Sequence, residues 1–333
     1  MKKLPIGKLP PDFLQELLQR FRYSDKNILI GASYGVDGCV IRTGGVEVAL
    51  TTDPITFTTQ ELPYYLIGVN VNDIMCMGAL PEYMLANLFF PPGTSEEYVR
   101  ETFDKINEIA SRYNLKIVGG HTEITYGIDR TIASAFIIGR VIKNIGPANV
   151  VPGDSIVLVK GIAIEGTSIL AREKEDELRK KLSPNIIERA KKFLFDPGII
   201  IFNEANIALE KFDIHNMHDP TEGGIFTALY ETLFASQKGG LIYIDNIPIY
   251  EETRVLCEIF DVDPFGLLAS GSLIIILPED EASKLVDEYR KNGIEANIIG
   301  KVMEREYGIK LLNKGKIEDL KPFERDEIVR VLE

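Results

Sequence analysis

Residues 61–78, ELPYYLIGVNVNDIMCMG, constrain this chain more than any other stretch, because apolar side chains cover nearly every face of a helix drawn through them. A helix apolar all round has no side to offer solvent, so the rest of the chain must wrap it. Asn70, Asn72 and Asp73 interrupt the apolar run. Polar groups taken out of water need partners, and a carboxylate at Asp73 must either find one or raise its pKa.

The flanking segments supply a wrapping. An amphipathic helix is predicted over 12–21, where Phe13, Leu14, Leu17 and Leu18 recur at helical spacing. A strand is predicted over 27–32, a glycine-bearing loop over 33–38, and a hairpin of 39–43 with 46–52 about Gly44-Gly45, ending at Asp53. After a strand over 83–90, Thr94 with Glu97 three residues on reads as a capping box opening a helix to Tyr113. A short strand at 115–119 then runs into the glycine turn Gly119-Gly120-His121-Thr122-Glu123, and a further strand covers 131–141.

At 333 residues the chain exceeds one ordinary core, and Pro147, Pro152 and Gly153 mark a connection. Two domains are expected, 1–146 and 147–333, the second α+β. In the second, a strand at 155–159 starts a new series, 172–181 reads as a solvated charged helix, and a helix through Ala282, Leu285, Val286 and Tyr289 stops at Gly293 before a strand over 294–302.

Formal net charge is −13, a field that repels phosphate backbones and anionic lipid. Nucleic acid and membrane are therefore poor partners, although Mg²⁺ between carboxylates and phosphates still permits a nucleotide. The most apolar stretch, 265–278, is broken by Ser270, Gly271 and Ser272 and falls short of the ~20 residues a spanning helix needs. The start of the chain lacks the apolar core of a secretory signal, and the three cysteines, Cys39, Cys76 and Cys257, form no CxxC pair. A reducing cytoplasm is the expected location.

Asp37, Asp53, Asp73, Glu123 and Asp219 each fall at a strand end, in a glycine-rich turn or on the apolar helix. Taken singly each except Asp73 reads as a turn or cap residue, whereas together they could form one oxygen-rich cluster of the kind Mg²⁺ requires. There is neither GxxxxGK[ST] nor GxGxxG. Backbone amides at 31–38, Gly119-Gly120 and Gly223-Gly224 are the remaining places to approach phosphate. His215 and His218, three apart, would suit a transition metal, but the surrounding oxygens favour hard ions. Cys39 reads as a small buried hydrophobe.

Taken in order, Gly35-Val-Asp-Gly-Cys-Val-Ile41, Thr51-Thr-Asp-Pro54, Asn70-Val-Asn-Asp-Ile-Met-Cys-Met-Gly-Ala-Leu-Pro81, Gly119-Gly-His-Thr-Glu123, Pro152-Gly-Asp154, Asp219-Pro-Thr-Glu-Gly-Gly224 and Ser270-Gly-Ser272 resemble the aminoimidazole ribonucleotide synthetase (PurM-like) superfamily, near its hydrogenase-maturation branch. The resemblance implies a two-domain fold. In it an N-terminal α/β domain contributes to a β-barrel shared by a homodimer, beside a C-terminal α+β sandwich. It implies ATP and Mg²⁺ held between the domains and across the dimer, with ATP-driven phosphorylation of a substrate oxygen, often an amide carbonyl. By the same resemblance Asp37, Asp53, Asp73, Glu123 and Asp219 are metal positions and Asp73, His121 and Glu123 catalytic ones. Gly35, Asp37, Gly38, Asn72, Gly119, Gly120, Thr122, Thr221, Gly223 and Gly224 are the implied nucleotide contacts.

Three departures from the family pattern qualify the activity. Val36 stands at the first aspartate of the Gly-Asp-Asp loop, and His121 stands where an acid is usual, leaving Glu123 to substitute. The final residues, EIVRVLE, carry no cysteine of the kind the maturation enzyme uses as a carbamoyl carrier. The expected function is a Mg²⁺-dependent ATP-using enzyme that activates an oxygen of an unidentified small molecule or protein-thiol substrate. Two alternatives stand beside it: a nucleotide-binding dimeric scaffold impaired in catalysis, and a small-molecule kinase like thiamine-monophosphate kinase.

Overall fold

The computed structural model describes residues 4, 7, 9–21, 23–56 and 60–333. The chain divides into two compact units: Ser24–Gly31 with Asp37–Asn144, and Met1–Tyr23 with Ala32–Val36 and Ile145–Glu333. The first helix, α1 (Pro11–Leu18), thus belongs with the C-terminal unit.

The N-terminal unit is a six-stranded sheet with helices on one face. β1 (Ile28–Ile30) pairs with β2 (Cys39–Thr43), which turns into β3 (Val46–Ile55). Gly44 and Gly45 both adopt positive φ, 57° and 81°, which gives the tight twist a two-residue hairpin needs. The strand runs past Asp53, two residues beyond the expected end.

α2 (Leu62–Cys76) is the apolar helix, and all fifteen of its residues are buried against β3, β4 (Ala79–Phe90) and β6 (Ile132–Val141). α3 (Glu96–Arg112) crosses over to β5 (Lys116–Ile124), which pairs in parallel with β4. The cap of α3 is Ser95, whose Oγ accepts from the Tyr98 N–H at 3.2 Å, and not the expected Thr94. Thr94 instead donates its hydroxyl to the Pro91 carbonyl at 2.7 Å, closing the turn before the helix.

Strand order is β1-β2-β3-β6-β4-β5, which leaves β5 as an edge strand exposed along its whole length. Alternation along β4 and β6 sends Met84, Ala86, Leu88, Ala133, Ala135 and Ile137 to the helix layer. Tyr83, Leu85, Phe136 and Ile138 fall on the opposite face, where Tyr83 and Leu85 are exposed.

The C-terminal unit has a seven-stranded sheet of order β13-β12-β9-β11-β7-β10-β8, antiparallel except between β9 and β12. Its strands are β7 (Ser155–Val159), β8 (Asn216–His218), β9 (Gly239–Tyr243), β10 (Leu273–Leu277), β11 (Ala296–Met303), β12 (Ile309–Asn313) and β13 (Lys316–Asp319). β7 and β10 are buried at every position and correspondingly read SIVLV and LIIIL, because both faces of the sheet are covered. The covering helices are α4 (Ile164–Glu173), α5 (Glu175–Leu178), α6 (Pro184–Lys192), α7 (Phe202–Lys211), α8 (Gly224–Ala235), α9 (Glu251–Phe260), α10 (Glu279–Lys291) and α11 (Glu327–Leu332).

Ile225, Leu229 and Leu233 of α8 pack on Ile156, Leu158, Ile274, Ile276 and Ile299. Just past β7, the buried Lys160 ammonium lies 3.1 Å from the Glu204 carboxylate and donates to the Gly198 carbonyl at 2.9 Å. Among the described residues no helix is long and apolar enough to cross a membrane.

Candidate functional site

The polar residues of α2 find their partners on β3. Beyond Leu50 the outer edge of β3 has no strand beside it, because β2 begins at Cys39 opposite Leu50. Asn70 fills the gap like a short piece of strand. Its Oδ1 accepts the Asp53 N–H at 2.8 Å, and its Nδ2 donates to the Asp53 carbonyl at 3.2 Å and to Leu66 O at 3.0 Å. One turn further along α2, the Asp73 carboxylate lies 2.7 Å from Thr51 Oγ1, which is also 3.0 Å from the Asp37 carbonyl.

Thr51 and Asp53 share one face of β3, as residues two apart do, and Asn70 and Asp73 share one face of α2. Thr51 thus touches the Asp73 carboxylate and the Asp37 backbone carbonyl, while Asp53 stands two residues along the same strand with its backbone held by Asn70. Asp73 is 5% exposed, while Asp37 and Asp53 are half-buried and so open on one side. The side chains of Asp37, Asp53 and Asp73 are carboxylates, the oxygen chemistry that a hard divalent cation takes. A carboxylate oxygen of Asp37 and the sulfur of Cys76 lie within 4.8 Å of one another. Cys76 is one more turn along α2, and its soft sulfur adds nothing that Mg²⁺ would use.

The residues expected at the glycine turn are placed elsewhere. Gly119-Gly120-His121-Thr122-Glu123 lies inside β5 and forms no turn. Gly120 is required because its backbone (φ 146°) runs so close to Ala86 that any Cβ would overlap the Ala86 carbonyl. Register carries Asp53 to Ala135, Ala86 and Gly120, three strands away, or ~14 Å across the sheet. His121 sits opposite Asn87, which points to the face away from the helices. Within one chain, then, Glu123 and His121 do not join Asp37, Asp53 and Asp73, and Glu123 does not replace an acid of that group.

His121 Nε2 and Glu123 Oε2 pair with each other at 3.1 Å, and this hydrogen bond, with a second from Thr125, holds the Glu123 carboxyl below its usual pKa. On the helix side of β5, Gly119, Gly120 and Thr122 line a cavity of about 470 Å³ with Ala86, Phe103 and Asn107. Asn72 is buried within α2, and a Cβ on Gly38 would press on the Leu50 carbonyl.

In the C-terminal unit Asp219, 1% exposed, follows β8 and opens the loop 219–223 that leads into α8. The two glycine amides expected to meet phosphate already have acceptors inside the protein. Gly223 N–H donates to Asp326 Oδ2 at 2.7 Å, and Gly224 N–H to the Thr221 carbonyl at 3.1 Å. Gly35 (φ 79°) packs so closely on α8 that a Cβ would stand 2.5 Å from the Glu231 carbonyl, which accounts for the glycine by packing alone.

His215 and His218 do not form a metal pair: His215 Nδ1 lies 2.7 Å from Asp154, and His218 Nε2 lies 3.3 Å from Glu231. Burial raises Glu165 to about 7 against hydrogen bonds from Ser270, and raises Asp326 to about 7 against three amide donors.

The chain belongs to the AIR synthase related family: the profile of that family's N-terminal domain matches residues 35–141, and that of its C-terminal domain residues 151–311. Among similar proteins is one of Methanocaldococcus jannaschii named for hydrogenase expression/formation, 28% identical over 319 residues and covering 91% of this chain and 90% of the relative. Another is the thiamine-monophosphate kinase of Pyrococcus horikoshii, 28% identical over 315 residues, with 92% and 93% covered.

Solved structures share the fold. Hydrogenase maturation protein HypE in complex with ATP superimposes with a TM-score of 0.67 at 23% identity, over 85% of this chain and 87% of that one. AaThiL complexed with AMPPCP and TMP gives 0.74 at 19%, over 97% and 98%. The fold is accordingly PurM-like, with two units of mixed helix and strand content and a sheet in each.

Proposed function

We propose that this chain is a Mg²⁺-dependent, ATP-using enzyme that activates an oxygen of its substrate by phosphorylation, and that it works as a homodimer. The single observation that carries the reading is Thr51, which links the Asp73 carboxylate to the Asp37 backbone on the strand whose Asp53 backbone Asn70 holds. Mg²⁺ bound there would neutralise and orient phosphate oxygens. The chain's own part is positional. Asn70 fixes the Asp53 backbone, Thr51 fixes the Asp73 carboxylate, and buried α2 sets the distance between them. In the C-terminal unit Asp219 and Thr221 are the positions that the family resemblance implies for metal and nucleotide.

The cavity of about 470 Å³ beneath β5 is of a size that suits a purine ring, with the Phe103 face, the Asn107 amide and the Thr122 hydroxyl at hand. Dimerisation is supported by the fully exposed edge of β5 and by Tyr83 and Leu85, apolar and exposed on the sheet's open face. Glu123 and His121 would then serve the carboxylates of a second copy. A mixed dimer of Glu123→Ala and Asp73→Asn chains tests this, since one intact site should restore activity absent from both parents.

A catalytically impaired scaffold is the second reading, and Val36 and His121 standing at acid positions favour it. Mass spectrometry of a substrate library incubated with protein, ATP and Mg²⁺ separates the two. A phosphorylated or dehydrated product supports the enzyme, and nucleotide binding without any product supports the scaffold.

A further inference from the structure

Asp326 lies near the end of the chain and is 5% exposed, yet its carboxylate gathers three backbone amides from three separate segments. Oδ2 accepts from Gly223 at 2.7 Å, while Oδ1 accepts from Ile328 at 2.8 Å and from Leu268 at 3.3 Å. The first of these belongs to the loop that opens α8, the second to the first turn of α11, and the third to the segment before β10. A buried carboxylate with several amide donors resembles an anion site filled by the chain itself.

The surrounding contacts tie the same segments together. Phe323 N–H donates to Thr227 Oγ1 at 3.1 Å, and Glu327 N–H to the Gly266 carbonyl at 3.1 Å. Ala269 N–H donates to the Thr221 carbonyl at 3.3 Å, so the loop is held from a second side. The Glu327 carboxylate accepts from Asp263 N–H at 3.1 Å and from Arg330 at 2.6 Å, anchoring α11 without touching the loop.

We propose that Asp326 is a positioning residue that braces the Asp219–Gly224 loop through the Gly223 amide, making the C-terminal segment 321–333 a working part of the site. This rests on the nucleotide reading above for its consequence, though not for its geometry. Gly223 sits at φ 80° immediately before α8, and its amide donates to the Asp326 carboxylate. Without that acceptor a buried N–H is left without a partner, and the loop residues that follow from its placement, Asp219 and Thr221, lose their fixed position.

The test compares Asp326→Ala, Asp326→Asn and Glu327→Gln in the full-length protein. Hydrogen exchange of 219–226 is measured without nucleotide, and MgATP affinity by calorimetry. Asp326→Ala should speed exchange of the Gly223 amide at least tenfold and weaken MgATP about tenfold. Asp326→Asn, which keeps one acceptor oxygen and caps α11 as well as aspartate does, should fall between the alanine variant and wild type. Glu327→Gln, which loosens the same helix elsewhere, should lower the melting temperature while leaving both loop exchange and MgATP affinity within twofold of wild type.

If Asp326→Ala does not fold, the asparagine variant decides, because an amide exchange rate equal to wild type overturns the brace. Equal effects of Glu327→Gln and the Asp326 variants on MgATP also overturn it, since helix docking alone would then suffice. If wild-type protein binds no MgATP, the nucleotide reading fails separately, and loop exchange still judges the brace.

Discussion

Replacing Asp73 by asparagine probes the carboxylate group at its most buried member. The substitution keeps shape, and Thr51 can still donate to the amide oxygen across the same 2.7 Å. A charge-assisted hydrogen bond, worth roughly 1.5–3 kcal/mol, becomes a neutral one worth roughly 0.5–1.5, a cost of ~1 kcal/mol. Against this, a carboxylate only 5% exposed no longer has to be taken out of water, and that penalty is of order several kcal/mol.

The relief exceeds the lost hydrogen-bond strength, so the melting temperature should hold at the wild-type value or rise by a few degrees. Cation binding has no such compensation. Two unit charges at 4 Å and an effective dielectric near 20 interact by ~4 kcal/mol, and a divalent ion doubles that. Even if desolvation offsets most of it, ~1.4 kcal/mol is tenfold in affinity. Mn²⁺ titration followed by electron paramagnetic resonance, alongside thermal melting, measures both. A variant that melts far below wild type, or one that binds Mn²⁺ undiminished, refutes the reasoning.

Glu165 makes stability depend on pH. Burial raises its folded pKa to about 7 from 4.5, so its contribution is present below the unfolded value and is lost as pH rises toward 7, then stays flat. Glu165→Gln should remove this fall, up to roughly 3 kcal/mol between pH 4.5 and 7, in urea titrations at several pH values. Lys160→Met leaves the Glu204 carboxylate buried opposite an apolar side chain and should cost ~3–5 kcal/mol in the same assay, whereas Lys160→Met with Glu204→Leu should recover most of the loss. Ala86→Leu fills the cavity beneath β5 and should weaken ATP at least tenfold without altering Mn²⁺ affinity; unchanged ATP affinity would remove the base from that cavity.

Much of the N-terminal unit was legible because its strongest signals are local. The apolar run of α2 fixes the buried helix, and the glycine pair at 44–45 fixes the hairpin. Asp53 and Asp73 stand out because one ends a strand and the other interrupts an apolar helix; Asp73 meets Thr51, and the Asp53 backbone meets Asn70. Thr51 enters only as the first residue of the Thr51-Thr-Asp-Pro54 motif and is given no role, since threonine is ordinary in a strand and its value here lies in a neighbour 22 residues away.

The errors have physical causes as well. Gly119-Gly120 reads as a turn by propensity, yet Gly120 is needed by the close approach of β4, which only tertiary pairing reveals. Thr94 and Ser95 are equally able caps, and the choice falls to Ser95 because Thr94 is engaged by Pro91. Gly223-Gly224 suggested free amides, but Asp326, 103 residues away, takes one of them. The grouping of residues 1–23 and 32–36 with the C-terminal unit has no compositional mark at all.

Calorimetric titration of ATP into wild-type protein, with Mg²⁺ and again with the cation chelated, tests most directly whether Asp37, Asp53 and Asp73 hold a nucleotide through a metal. Saturable binding of one ATP per chain should appear with Mg²⁺, vanish on chelation, and be lost in Asp53→Asn. Binding of equal strength without the cation, or none in either condition, would contradict the account.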